Sequence, residues 1–216
     1  KLKKIQIENG FRVEFRNYFV ARISNNREVI KEHLNYLNWA TNFGLKTSIS
    51  KDIKTLVDIS YTNRPPEVNE LFSNGLHQGV SGIEEGNSNL NAERSFKIVN
   101  EWEIKIGHST NINASLFYNR ISNYIYLQPQ KELRLTIRGA FPVFKYIGTE
   151  ASLTGGDIKL IHNITDHLQA TSGLSYIYAR NITQNSGLIR IPPLNLQLNL
   201  SYTFGRFWKI HEIKTV

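Results

Sequence analysis

Residues 194–204 read LNLQLNLSYTF, in which Leu194, Leu196, Leu198, Leu200, Tyr202 and Phe204 are apolar and the residues between them are polar. A period of two belongs to an extended chain, whose successive side chains point to opposite faces; a helix cannot sort this stretch into two sides. The same alternation runs through Leu37, Trp39, Phe43, Leu45 and Ile49, with Asn38, Asn42, Lys46 and Ser48 between. It returns in Phe96, Ile98, Trp102, Ile104 and Ile106, interleaved with Lys97, Glu101, Glu103 and Lys105. Shorter runs follow the rule at Phe11, Val13 and Phe15, at Val57, Ile59 and Tyr61, at Ile112, Ala114, Leu116 and Tyr118, and at Leu174, Tyr176 and Tyr178. Only REVIKEHL, residues 27–34, has a helical period. The pattern predicts an all-β chain of about eight to ten antiparallel strands.

The connections sort into two kinds. SKD at 50–52, STN at 109–111 and TDH at 165–167 are tight polar turns, whereas 24–34, 64–93, 128–146 and 181–193 are long and rich in Asn, Gly, Pro and Arg. The two kinds alternate, which puts every long loop at one end of the strands. A soluble sandwich has no reason to do this; an outer-membrane barrel does, with short turns on the periplasmic side and long loops outside. Mean hydropathy of −0.34 suits that reading, because lipid-facing and lumen-facing residues average out along each strand. No run approaches eighteen apolar residues, so no spanning helix is expected. Tyr118, Tyr124, Tyr126, Tyr176, Tyr178, Tyr202, Phe204, Phe207 and Trp208 fall near predicted strand ends, where aromatic rings sit at headgroup level.

The formal charge of +8 raises nucleic acid as a partner. The basic residues are scattered, however, and the one dense run is Lys1, Lys3 and Lys4, so no nucleic-acid partner is expected. The absence of Cys removes thiolate metal sites and disulfides. No catalytic constellation emerges either. His108, His162, His167 and His211 are far apart, Ser109, Ser122 and Ser175 lack a nucleophile-elbow context, and Asp157 and Asp166 stand apart. The chain is not expected to be an enzyme.

One polar insert breaks the alternation. RPPEVNELF at 64–72 is followed by EEGNSNLNAE at 84–93, and the two resemble the paired boxes in the barrel of TonB-dependent outer-membrane receptors, called FRAP and NPNL in the haem-uptake branch. The matching residues are Arg64, Pro65, Pro66, Glu70, Leu71, Gly86, Asn87, Asn89, Leu90 and Glu93. Further segments are similar to the family in order: LFYNRISNYIYL at 116–127, FPVFKYIGTEASLTGGDI at 141–158 with its Gly-Gly step, and IPPLNLQLNLSY at 191–202. The resemblance covers about residues 53–205. Departures are Asn63 where the haem branch has an aromatic residue, Pro65-Pro66 for Ala-Pro, and Ser88 for Pro.

The resemblance implies a partial receptor barrel over residues 1–216, a segment of the C-terminal half of a barrel of about 22 strands, without a plug domain. It implies active uptake of a scarce ligand across the outer membrane of a Gram-negative bacterium, the ligand being an iron chelate (siderophore), haem or another metal complex. No intrinsic cofactor is expected. The implied partners are outer-membrane lipid, an extracellular small-molecule ligand, and TonB acting through the plug. The rival is a small closed barrel serving as an adhesin or structural envelope protein, for which about eight strands suffice.

Within the insert, His77 is the candidate metal or haem ligand, since imidazole binds iron without a thiolate and a His between the boxes is an axial ligand in haem receptors. Against this, Gln78 follows where related receptors often place a second His, and a single loop His also serves as a plain hydrogen-bonding residue. Glu84 and Glu85 are candidate cation ligands or solvated loop acids. Arg64 is a candidate ligand contact or, with Glu70 and Glu93, a salt-bridged support for the loop entered through the stiff Pro65-Pro66 pair.

Overall fold

The computed structural model describes residues 5–23, 28–204 and 213–215. In chain order the elements are β1 (Ile5–Ile23), β2 (Val29–Ser48), β3 (Ile53–Arg64), α1 (Val68–Phe72), β4 (Asn74–His77), a 3-10 turn (Gln78–Val80), β5 (Gly82–Glu85), β6 (Glu93–Ile106), β7 (Thr110–Thr136), β8 (Gly139–Asn163), β9 (Leu168–Asn181), β10 (Ser186–Gly187), β11 (Asn195–Phe204) and β12 (Ile213–Thr215). The long strands follow one another as antiparallel neighbours in the order β1-β2-β3-β6-β7-β8-β9-β11, with β12 beside β11. Among the described residues the path ends in two free edges and does not close, which disfavours the small closed barrel.

Register carries the alternation from strand to strand. Phe43 pairs with Ile59, Ile59 with Ile98, and Ile98 with Tyr118; farther along the sheet, Ile158 pairs with Leu174 and Leu174 with Leu196. Directly paired residues share a face, so a one-residue slip anywhere would move a whole apolar set to the wrong side. The apolar face is largely uncovered: Phe11, Phe15 and Leu198 are each at least 72% exposed. A bare apolar face on this scale requires lipid. Some polar groups on it bond one another, as where Asn100 Nδ2 donates to Thr55 Oγ1 at 3.0 Å and Trp102 Nε1 donates to Asn100 Oδ1 at 2.6 Å.

The opposite face is polar but uneven. On β1, β2, β3 and β6 it carries Arg12, Glu14, Arg16, Lys46, Lys54, Asp58, Lys97 and Glu103, with Lys54 Nζ 3.2 Å from Glu103 Oε1. On β9 and β11 it carries Gln169, Thr171, Ser175, Asn195, Gln197 and Asn199 and no charge. The Gly-Gly step lies between these halves, and a Cβ on Gly155 would meet the carbonyl oxygen of Tyr176 at 2.5 Å and the Phe117 ring at 2.9 Å.

Residues 49–52, 107–109 and 164–167 form the tight turns, all at one end; the second lies two residues earlier than the STN run suggests, since Thr110 and Asn111 already open β7. The long connections differ from expectation in content. REVIKEHL is strand from Val29 onward, because pairing with β1, such as Val20 with Glu32, outweighs its local period. Residues 128–146 are an extension of the β7–β8 hairpin, with irregularities between Ile121 and Tyr124 and between Pro129 and Leu133 that hid the alternation. Asn123 at the first of them has φ 57°. Residues 24–27, Phe207, Trp208, His211 and the run Lys1, Lys3 and Lys4 lie outside the described residues.

Candidate functional site

The insert is folded. Pro65 and Pro66, both fully buried, lead into α1, where Glu70 accepts a hydrogen bond from the Glu67 backbone N–H at 2.7 Å and closes a capping box at the helix start. The helix ends after five residues, and β4 and β5 form a small hairpin beyond it, pairing His77 with Gly82 and Asn74 with Glu85. The chain then returns close beneath α1. Gly86 N–H donates to the Ser73 carbonyl at 2.7 Å and Asn87 N–H to the Glu70 carbonyl at 2.8 Å. Only glycine fits at 86, since a Cβ there would lie 2.5 Å from the Leu71 and Phe72 backbone.

The two boxes meet through Arg64. Its Nε donates to Glu93 Oε2 at 2.6 Å and its Nη1 to Glu70 Oε2 at 3.0 Å, while Glu93 Oε1 accepts from the Ile125 backbone N–H at 2.6 Å. Arg64 therefore ties the last residue of β3, the helix, the first residue of β6 and the wall strand β7 into one node. Asn87 and Asn89 make a local turn, with Asn89 N–H 3.0 Å from Asn87 Oδ1, and Leu71 is buried beneath it. Asn63 Oδ1 accepts from Trp39 N–H at 2.6 Å, where β2 has passed its last pair with β3.

Glu84 and Glu85 are not solvated loop acids. β5 runs parallel to the part of β8 that extends beyond β9, pairing Glu84 with Phe144 and Glu85 with Lys145. That pairing buries Glu84 and sets Glu85 beside Lys145 Nζ at 3.1 Å and in an ion pair with Arg134. Burial pushes the Glu85 carboxyl up, but hydrogen bonds from Arg134 and Lys145 outweigh it and hold the group below the ordinary carboxylate range. His77 stands at the end of β4 with its side chain 64% exposed, Nδ1 3.5 Å from Glu84 Oε1. Among the described residues no three His, Asp or Glu side chains gather as a metal site, so His77 has only Glu84 beside it.

Sequence reasoning missed the insert's outer anchors. Glu67 accepts from Arg16 at 2.8 Å, fastening α1 to β1, and Arg22 lies over the Phe72 ring at 5.6 Å. A cleft of about 310 Å³ opens beside them, lined by Arg22, Phe72, Asn74 and Glu85 among others. Arg134 and Lys145 were read as loop residues and gave no signal, because partners 49 and 60 positions from Glu85 meet only through strand pairing.

A family model described as TonB dependent receptor-like, beta-barrel matches residues 2–213. The chain belongs to that family. TonB-dependent receptors are transporters, not enzymes. Solved structures agree on the fold. The copper transporter OprC superposes with TM-score 0.73 at 14% identity over 93% of this chain and 31% of its own length. The FrpB iron transporter from Neisseria meningitidis gives 0.58 at 16% over 97% and 30%. The Serratia marcescens hemophore receptor HasR, in complex with its hemophore HasA and heme, gives 0.60 at 11% over 94% and 39%. The chain thus spans about a third of the length of these receptors.

Proposed function

We propose that this TonB-dependent receptor segment forms part of the wall and external ligand-capturing surface of a Gram-negative outer-membrane transporter that takes up a scarce metal complex. The class of ligand is an iron chelate (siderophore), haem or another metal complex, and energy arrives from TonB through a plug domain outside this chain. The observation that carries the reading is the insert. Its two boxes are locked by Arg64, Glu70 and Glu93 at the loop end of the sheet, a cleft opens beside them, and the locked scaffold presents His77 to solvent. Similar folds that carry copper, iron and haem-bearing ligands support the ligand class.

Glu84 gives His77 a buried carboxylate neighbour, 3.5 Å from Nδ1, that orients the ring. The test is titration of the full-length receptor with haem and, separately, with ferric chelates, before and after His77→Ala. Loss of haem affinity by tenfold or more with ferric-chelate binding intact assigns His77 to haem. Unchanged affinity for both removes His77 from capture, and binding of neither ligand by the unmodified receptor overturns the ligand class.

A further inference from the structure

We propose that the neutral inner face of β9 and β11 is the track along which the metal complex passes this wall, and that the charged inner face of β1, β2, β3 and β6 is not. The inference rests on the uptake reading and goes beyond it by naming the side of the lumen that the ligand follows.

Register defines the track. Gln169, Thr171 and Ser175 of β9 share a face with Asn195, Gln197 and Asn199 of β11, and no described position on that face of either strand is Asp, Glu, Lys or Arg. Charge stops at β8, where Asp157 pairs with Ser175 and Lys159 with Gly173. Across the sheet the same face is different in kind. Lys54 pairs with Glu103, and Lys46, Asp58 and Glu101 have no ion-pair partner among the described residues. Lys46, Lys54, Glu101, Glu103 and Asp157 gather around one cleft of about 360 Å³.

The neutral track joins two cavities. At the long-loop end Tyr126, Asn181, Gln184 and Ser186 line a space of about 140 Å³, and none of its lining residues is charged. Asn181 is buried there, its Oδ1 accepting from Thr149 Oγ1 at 2.7 Å and its Nδ2 donating to the Tyr126 hydroxyl at 3.3 Å. At the tight-turn end His108, His167, Gln169, Ser201 and Thr203 line a larger space of about 500 Å³, with Asp166 as the one acid among its lining residues. From Gln169 to Asn181 is twelve residue steps along β9, roughly 40 Å of strand and about 28 Å along the normal at a tilt of about 45°. That distance spans a barrel's apolar band, so the track runs from one side of the membrane to the other.

Chemistry separates the two faces as surfaces for a moving solute. A fixed charge on a lumen wall holds an oppositely charged complex and repels a like one, and both slow its passage. Amides and hydroxyls offer a series of weak contacts that a solute makes and leaves in turn. Because these groups both donate and accept hydrogen bonds, they serve complexes of either sign. The charged face would stall the same complex at its first unpaired partner.

The test uses the full-length receptor in whole cells, with radioiron-labelled haem and, in parallel, radioiron-labelled ferric citrate as probes. The double variant Thr171→Arg, Asn199→Arg sets two charges at directly paired positions of the track, and Asn42→Arg, Ser60→Arg does the same on the charged face. The track variant should lower initial uptake at least tenfold while binding of the probe to de-energised cells stays within about twofold. The charged-face variant and the neutral pair Thr171→Gln, Asn199→Gln should both keep uptake within about twofold of the unmodified receptor. Unchanged uptake in the track variant overturns the proposal, as does an equal loss in the charged-face variant. An equal loss in the neutral pair would assign the effect to bulk and not to charge, and overturns it too. Should the double track variant not reach the membrane, Asn199→Arg alone, at an exposed position, carries the test: a loss of at least threefold supports the track, and no loss overturns it. Uptake of neither probe by the unmodified receptor would instead overturn the uptake reading, and the track with it.

Discussion

Two external connections of this wall are held in opposite ways. The insert between β3 and β6 is short on regular structure and is fixed at a few side-chain points: Arg64 at its base, Glu67 on Arg16, and Glu85 on Lys145 and Arg134. The tip of the β7–β8 hairpin, residues 130–142, is a ladder of backbone pairs in which Leu135, 83% exposed, touches little. Hydrogen bonds in a ladder do not depend on which side chains the strand carries, whereas a node of charges fails when one member is removed. The insert is therefore the region where single substitutions should act, and the hairpin tip, apart from Arg134, the region where they should not.

The largest effect is expected from Glu93→Ala. It leaves Arg64 with one carboxylate and strips the Ile125 N–H of its acceptor, at a cost of about 2–3 kcal/mol for charge-assisted hydrogen bonds at a half-buried site. Hydrogen exchange in the full-length receptor should show the Gly86 and Asn87 amides losing protection while the β7–β8 ladder keeps its own. Equal loss in both would mean that the insert and the wall unfold together, and the contrast between them would be wrong.

Gly86→Ala comes next. The added methyl has no room against the Leu71 and Phe72 backbone, and overpacking of this kind costs about 1–3 kcal/mol. The same measurement applies, with the disturbance expected first at Asn87, whose N–H bonds the Glu70 carbonyl.

How much of this was visible in the sequence depends on the range of the interaction. Strands, turns and the polarity of the two faces were legible because alternation is local: Leu194 to Phe204 declares its faces without a partner. The Arg64–Glu70–Glu93 node was legible because six and 29 residues separate its members within one recognisable pair of boxes. The docking of β5 on β8 was not. It depends on β8 outrunning β9 by the stretch before Ala151, a length set by register and not by any residue type. For the same reason Glu84 looked solvated and is buried, and the segment 128–146 looked like a loop and is mostly strand.

Glu85→Gln isolates the distal anchor. Its partners are partly exposed, so the expected loss is about 0.5–1 kcal/mol, seen as faster exchange at Ile83–Glu85 with the Arg64 node unaffected. Acid should act at the same point. The Glu85 carboxyl is held below its ordinary value when folded, so its contribution is complete above about pH 4 and is lost as pH falls through the lowered value. Protection of β5 should therefore decline below about pH 4 in the unmodified receptor and show a weaker pH response in Glu85→Gln. Identical pH profiles would place the acid-sensitive group elsewhere.

The smallest effect is expected from Leu135→Ser at the hairpin tip. The side chain is almost wholly exposed and pairs across the ladder with Ala140, which offers little surface to lose. Replacing an exposed leucine that buries nothing removes almost no apolar area from water, so stability should change by less than about 0.5 kcal/mol. Exchange at Leu133–Thr136 should match the unmodified receptor within error. A loss of about 1 kcal/mol or more would mean that the tip is covered in the full-length receptor, by a segment outside this chain or by its ligand. The difference between the two connections would then lie in what each touches, and not in how each is built.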